Sequence, residues 1–166
     1  MILGFRQYFP WHTEKNPAPT YFREKILASV GLVTASAILS VDVRKKVFQT
    51  DELSAPIYQP KLHTIREGSR WKAGDIMHMA YGVRTKNYQQ FNKGISQLER
   101  VKSVQKIEII RDPHFGCLIQ IDNRQIGMAT IQDLITNDGF DSSDDFLKWF
   151  NKDFVGQLIH FTDLKY

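Results

Sequence analysis

The sequence predicts an α+β domain built on a small, mostly antiparallel β-barrel of about five or six strands, with flanking helices. Short alternating segments follow one another between Leu62 and Ile126, separated by turn residues. After Thr130, two segments with helical periodicity precede a last apolar strand. A length of 166 residues, with 42% hydrophobic and 24% charged residues, is typical of one globular unit. We therefore expect a single domain over residues 1–166.

The N-terminal part has the weakest pattern. Three prolines between positions 10 and 19 indicate irregular structure, after which Thr20 can cap a helix that ends near Ala28. Residues 30–41 are compatible with either a helix or a strand. The apolar stretch 26–41 has only 16 residues and includes Gly, Ser and Thr, whereas a membrane span needs about 20 predominantly apolar residues. We therefore expect buried structure and no membrane partner.

The central part is predicted to be a meander of strands. The residue types alternate, and turn residues such as those at 112–114 and 122–124 separate the segments. The predicted strands are Leu62–Arg66, Asp75–Tyr81, Val104–Arg111 and Phe115–Ile121.

The C-terminal part is predicted to be mainly helical. Thr130–Thr136 should form a short helix that stops around Gly139. Ser142 is a good N-cap for a second helix that runs to Phe150, and Asp145 three residues later completes a variant capping box. Leu158–Phe161 is predicted to be the last strand.

Charge is distributed unevenly along the chain. Residues 44–111 contain 14 Lys and Arg against 6 Asp and Glu, whereas residues 112–166 contain 4 against 9. A basic block of this size attracts polyanions such as RNA or DNA; a solvated surface partly neutralised by the acidic part is the alternative.

The cysteine and histidines give no indication of a cofactor. Cys117 is the only cysteine and lies in an apolar run, so we expect a buried side chain in a strand and a reducing compartment. The five histidines show no metal-ligand spacing, and His63 is expected to pack rather than to react. No signal-peptide pattern is evident at the start. We expect a cytoplasmic protein without metal or cofactor.

Two motifs after the central proline resemble the signature of ASCH domains, a branch of the PUA-like superfold. Lys61-Leu-His-Thr64-Ile-Arg66 corresponds to a Lys-x-x-Thr-x-Arg strand, and Trp71-Lys72-Ala-Gly-Asp to an aromatic-basic-x-Gly-Asp turn. The Asn-Asp-Gly-Phe segment at 137–140 and the last strand follow in the order of the family. The resemblance implies a PUA-like barrel with an insertion at about 29–55, and a pocket in the barrel mouth that accepts a base or nucleoside.

The resemblance also implies catalytic roles, because some small ASCH proteins are amidohydrolases that remove an acyl group from a modified cytidine. Lys61 would transfer protons, Thr64 would be the nucleophile, Asp138 would be the supporting carboxylate and Arg66 would assist. The family has Glu where this chain has Asp138. Side chains alternate along a strand, so Thr64 and Arg66 share a face and Lys61 must project from the preceding loop. Each of these residues can also be read as an ordinary strand, turn or surface residue.

Six further side chains are candidates for binding a ligand or nucleic acid. The segment 84–91 interleaves cations with aromatic residues, which can contact phosphates and stack on bases. A structural tryptophan and a loop whose aromatic residues cover the barrel are the alternatives. The candidates are Trp71, Lys72, Arg84, Lys86, Tyr88 and Phe91.

Three functions remain open at this point. The first is binding of RNA, DNA or a modified nucleoside by the basic face and the pocket. The second is hydrolysis of an acylated nucleoside at Lys61, Thr64 and Asp138. The third is binding of a protein partner through the inserted segment.

Overall fold

The structure is a computed structural model that describes residues 1–11, 18–32 and 59–166. Most of the predicted insertion at 29–55 and of the undecided segment 30–41 lies outside these residues, and so does the surface invoked for a protein partner. No described helix is long and apolar enough to cross a bilayer.

The described residues form an α+β structure, as predicted. The described residues contain three α-helices and eight strands, and a short 3₁₀ turn covers Ser96–Leu98. In chain order the elements are β1 (Ile2–Gly4), α1 (Phe22–Ser29), β2 (His63–Glu67), β3 (His78–Tyr81), β4 (Gln89–Gln90), β5 (Ser103–Asp112), β6 (Gly116–Ile121), β7 (Arg124–Gln125), α2 (Met128–Asn137), α3 (Ser143–Trp149) and β8 (Phe154–His160).

The strands form two sheets, so the prediction of a closed barrel is wrong. Strands β2, β8, β5, β6 and β7 make an antiparallel sheet in that order, and β1, β3 and β4 make a second sheet in which β1 and β3 are parallel. A barrel closes only when its edge strands pair with each other. Strands β4 and β7 have two residues each and β1 has three, and no ladder joins the two sheets among the described strands.

The core lies between the helices and one face of the larger sheet. Alternate residues of β5 and β6 are buried, as the period of two predicts, and Cys117 is among them. Helices α2 and α3 add apolar side chains such as Leu134 and Phe146. Beside them is an aromatic cluster of edge-on and tilted rings, made by Phe9, Phe22, Phe140, Phe146, Trp149 and Phe150.

Helix ends agree with the sequence in one case and differ in another. Ser142 caps α3 as predicted, since its Oγ accepts the Asp145 N–H at 3.1 Å. The Asp145 carboxylate accepts the Ser142 hydroxyl at 2.9 Å and not the Ser142 N–H, so the return bond of a capping box is not formed. The prediction that Thr20 caps α1 is wrong. The N-cap is Tyr21 in a left-handed conformation (φ 52°), one residue after Thr20. The Thr20 hydroxyl donates to the Arg6 carbonyl at 2.6 Å and accepts the Phe22 N–H at 3.4 Å, which holds the turn before the helix.

Two predicted strands have different lengths in the structure. Strand β3 begins at His78 rather than at Asp75, whose carboxylate accepts the Lys72 N–H at 2.7 Å and closes a turn. Strand β8 begins at Phe154, four residues before the predicted start, because Gly156 and Gln157 interrupt the apolar pattern but still pair with β5.

Candidate functional site

Lys61 lies in the loop immediately before β2, beside the middle of α1 and the end of α2. Its N–H donates to the Lys25 carbonyl of α1 at 3.0 Å, and the next N–H, of Leu62, donates to the Asn137 carbonyl at the end of α2 at 2.8 Å. These backbone bonds place the Lys61 side chain beside the residue that follows α2, which is Asp138.

Lys61 and Asp138 form a buried ion pair although 77 residues separate them in the chain. The Lys61 Nζ donates to the Asp138 carboxylate at 2.7 Å and to the Asp138 carbonyl oxygen. Lys61 is 1% exposed and Asp138 is 4% exposed. Gly139 makes this approach feasible, because a Cβ on that residue would lie 3.1 Å from the Lys61 Cδ.

Burial opposes both charges of this pair. It lowers the pKa of Lys61 to about 8, against the stabilising effect of Asp138. It raises the pKa of Asp138, whereas Lys61, Arg66 and the Ile65 N–H lower it. A lysine with a pKa near 8 is partly neutral at slightly alkaline pH, and a neutral amine can accept a proton.

Thr64 and Arg66 share one face of β2, and their surroundings differ. Thr64 is 1% exposed, and its Oγ1 has no hydrogen-bond partner in the described part of the chain. The Arg66 guanidinium donates to the carbonyls of Ile65 (2.8 Å) and Gly4 (2.7 Å) and lies over the Phe5 ring. Arg66 thus connects β2 to β1 through backbone carbonyls, while its charge still acts on Asp138.

A second buried lysine, which the sequence analysis did not single out, holds the same segment. Lys25 is 2% exposed, and its Nζ donates to the Gly139 carbonyl at 2.9 Å and to both carboxylate oxygens of Asp141 at 2.7 Å. We call residues 138–141 the lysine-clamped loop. Its position in the sequence could have indicated its burial. Lys25 follows Phe22 by three residues and precedes Ile26, so it lies on the face of α1 that was predicted to be buried.

A histidine pair lies on the opposite face of β2. His63 and His160 pair across β2 and β8, both are fully buried, and their ring centroids are 5.5 Å apart. Burial lowers the pKa of His63 well below its usual value and that of His160 to about 4. Two neutral imidazole rings therefore lie on the face of β2 opposite to Thr64.

Trp71 and Lys72, the predicted ligand contacts of the Gly-Asp turn, have different environments. Trp71 is 2% exposed, and its N–H and carbonyl both bond to the Gln157 side chain, at 2.9 and 3.0 Å. Its ring packs in the interior with the Arg70 guanidinium 5.5 Å from its centroid. Lys72 is exposed.

The predicted nucleic-acid segment connects β3 to β4 and is largely on the surface. Arg84 and Lys86 are exposed, and the Tyr88 side chain is 43% exposed. Phe91 is half-buried, because its ring packs against those of Phe5 and Tyr81 at centroid distances of 5.7 and 5.4 Å. We call Arg84, Lys86 and Tyr88 the basic loop; it presents two cations and one ring to solvent.

The chain matches no protein-family model, no curated protein and no solved structure. The described residues contain no group of three or more His, Cys, Asp or Glu side chains that could hold a metal ion. The residues that bear on function are therefore those around Lys61 and those of the basic loop.

Proposed function

We propose that the chain is an ASCH-type, PUA-like domain that binds RNA or a modified nucleoside, with DNA as an alternative polyanion. The observations that carry this proposal are the buried ion pair of Lys61 and Asp138 and, on the strand that follows Lys61, a buried Thr64 hydroxyl that has no hydrogen-bond partner among the described residues. These are the three positions that the family motif brings together at its ligand pocket.

The chemistry of these groups suits a nucleobase. A base edge presents both donors and acceptors, and the three side chains offer an ammonium donor, a carboxylate acceptor and a hydroxyl that serves as either. An unpartnered buried hydroxyl costs roughly 1–3 kcal/mol, which a ligand that bonds to Thr64 would recover. Because all three side chains are buried, a ligand reaches them only when the residues around them move.

The basic loop supplies the outer part of such an interface. Arg84 and Lys86 can contact phosphates, and Tyr88 can stack on an unpaired base. Long-range attraction by the basic block at 44–111 supports the same reading.

The test is the salt dependence of RNA binding, measured by fluorescence anisotropy with a labelled single-stranded oligonucleotide. For single strands the slope of log affinity against log salt is about −0.7 per phosphate contact. The double variant Arg84→Ala/Lys86→Ala should reduce the magnitude of that slope by about 1.4. Lys152→Ala, which removes an exposed cation outside the basic block, is the matched control. A DNA oligonucleotide of the same sequence separates RNA from DNA, and a flat salt response contradicts the proposal.

A second candidate function is hydrolysis of an N4-acylated cytidine, and it rests on the lowered pKa of Lys61. Neutral Lys61 would accept the Thr64 hydroxyl proton while the oxygen attacks the acyl carbon. The acyl C–N bond would then break, and the amine would leave with the proton returned by Lys61. Water would release the acyl group from Thr64. Asp138 would hold the lysine during both transfers.

This candidate is tested by assaying release of the acyl group from N4-acetylcytidine. Lys61→Ala should abolish turnover, whereas Lys25→Ala, which removes the other buried lysine of the clamp, should leave measurable activity. The rate should increase as the pH rises through about 8, since the neutral amine is the active form. Absence of turnover by the wild type across a panel of acylated nucleosides excludes this candidate and leaves binding in place.

A further inference from the structure

A small cavity lies where the N-terminal segment, the start of α1 and the end of β3 meet. Its volume is about 210 Å³, and its walls include neither Lys61 nor Thr64 nor Asp138. It is therefore distinct from the site of the proposed function. The side chains that matter here are those of Gln7, Tyr8, Tyr21, Arg23, Glu24 and Tyr81.

Two polar side chains of this cavity, those of Arg23 and Tyr81, are buried, and one donor of Arg23 lacks a partner among the described residues. Arg23 is only 9% exposed, and its Nε is buried without a hydrogen bond in the described part of the chain. The Tyr81 hydroxyl accepts the Arg23 backbone N–H at 3.0 Å. Burial raises the pKa values of Glu24 and Tyr81. The side chains of Arg23, a donor, and of Glu24, an acceptor, thus line the same cavity, and the Arg23 Nε has no hydrogen-bond partner in the described part of the chain.

Two tyrosines at the cavity present ring surface to solvent. Tyr8 is 52% exposed and Tyr21 is 40% exposed, which is unusual for large side chains beside a cavity. Tyr21 also holds a left-handed backbone conformation (φ 52°, ψ 22°), which costs of order 1 kcal/mol for a residue with a side chain. Exposed aromatic rings at the edge of a polar cavity suit a planar ligand that stacks.

We propose that this cavity binds a guanine base, with Glu24 and Arg23 reading its edges and the tyrosines stacking on its face. Guanine carries two adjacent donors, N1–H and the 2-amino group, which one carboxylate accepts together. On the neighbouring edge its O6 and N7 are acceptors for a guanidinium, a common specific contact to this base. Adenine lacks the N1–H and places an amino group where guanine has O6. Cytosine and uracil do not present this combination.

The size of the cavity, which is open to solvent, suits a base. Cavities that enclose drug-sized ligands have volumes of roughly 300–1,000 Å³, so 210 Å³ leaves the sugar and phosphate outside. The ligand is therefore either a free guanine nucleotide or an unpaired guanine in a longer strand. The inference does not depend on the function proposed for Lys61.

The first experiment uses the unmodified chain and isothermal titration calorimetry with single nucleotides. Guanosine 5′-monophosphate should bind at least about tenfold more tightly than the adenosine, cytidine and uridine monophosphates. Inosine 5′-monophosphate lacks only the 2-amino group, and its affinity should be lower than that of the guanine nucleotide by a factor of about five or more. Guanosine without phosphate should retain the preference. Equal affinities for all bases, or competition by inorganic phosphate, would overturn the proposal.

Two variants assign the contacts. Glu24→Gln should bring guanine affinity down to the level for adenine, since the amide places a donor opposite the donors of guanine; Glu67→Gln, at an exposed carboxylate on β2, should change nothing. Tyr8→Ala should lower the affinity for every nucleotide by about tenfold, because stacking does not depend on the base. Circular dichroism confirms folding of each variant. A guanine preference that survives Glu24→Gln refutes the assignment. Unchanged guanosine binding by the Arg84→Ala/Lys86→Ala variant separates this result from RNA binding through the basic loop.

Discussion

Two cationic regions of this molecule have opposite surroundings. In the lysine-clamped loop, Lys25 and Lys61 are nearly inaccessible, and each bonds to both a carboxylate and a backbone carbonyl. In the basic loop, Arg84 and Lys86 extend into solvent. The same residue types therefore serve the fold in one place and remain open to a ligand in the other.

The difference follows from the cost of transferring a charge out of water. A buried ammonium loses hydration worth several kcal/mol, which only a close partner restores. An exposed cation keeps its hydration, so it contributes little to stability but attracts anions over about 8–10 Å at moderate salt. Experiments that remove one charge from each region should therefore give opposite patterns in stability and in ligand binding.

The largest expected effect is on stability in the clamped loop. Lys61→Ala leaves the Asp138 carboxylate buried without its ammonium partner and should lower the free energy of unfolding by about 3–5 kcal/mol. Lys86→Ala in the basic loop should change it by less than about 0.5 kcal/mol. Urea unfolding followed by tryptophan fluorescence measures both values.

A double variant separates the pair from the space it fills. Lys61→Met/Asp138→Asn removes both charges and should be more stable than Lys61→Met alone, because no unpaired charge remains. Equal stability losses for Lys61→Ala and Lys86→Ala would show that the two regions do not differ as described.

The next effect concerns pH and the histidines behind β2. Because the pKa values of His63 and His160 are lowered in the folded chain, the unfolded chain binds more protons below pH 6.5, and stability decreases as the pH falls. Each histidine should lower the free energy of unfolding by about 2 kcal/mol when the pH falls from 7 to 5. The raised pKa of Asp138 acts in the opposite direction, so the useful measurement is a difference between variants.

His63→Phe keeps a ring in the same place. When the pH falls from 7 to 5, its free energy of unfolding should decrease by about 2 kcal/mol less than that of the wild type. Urea unfolding at pH 7 and pH 5 gives the comparison. His114→Gln, at an exposed histidine in the turn before β6, is the control and should follow the wild type. If His63→Phe is as acid-sensitive as the wild type, the histidine pair is not the source of the sensitivity.

The smallest difference is expected between the glycine beside Lys61 and a glycine in open space. Gly139 has φ 85°, and an added Cβ would lie within 3.3 Å of three Lys61 carbons, so Gly139→Ala should cost about 2–3 kcal/mol. Gly94 has φ 78° with no atom within 4 Å of the same position, so Gly94→Ala should cost about 1 kcal/mol. Thermal unfolding of the two variants isolates the steric contribution of Lys61. Equal losses would indicate that Lys61 moves aside freely.

Elements with local signals were predictable from the sequence. Strands β5 and β6 alternate in residue type, and the helix start at Ser142 has a side chain that caps its own backbone. The motif around Lys61 was also visible, together with Asp138, because a short pattern of residue types carries the resemblance. The start of α1 was mispredicted by one residue, because Tyr21 adopts a left-handed conformation while Thr20 is held by a bond to Arg6, 14 residues earlier in the chain. Local preference does not anticipate such a contact.

By itself, the sequence determined the α+β class, most strand and helix positions and the residues suited to a polar site, since these depend on neighbours within a few positions. Only the tertiary structure decided that the strands form two sheets instead of a closed barrel, that Lys25 joins Lys61 in holding residues 138–141, and that Trp71 is interior while Tyr88 is exposed. The physical reason is that burial and edge pairing depend on contacts between residues far apart in the chain, and their free energies exceed the local preferences of any one segment.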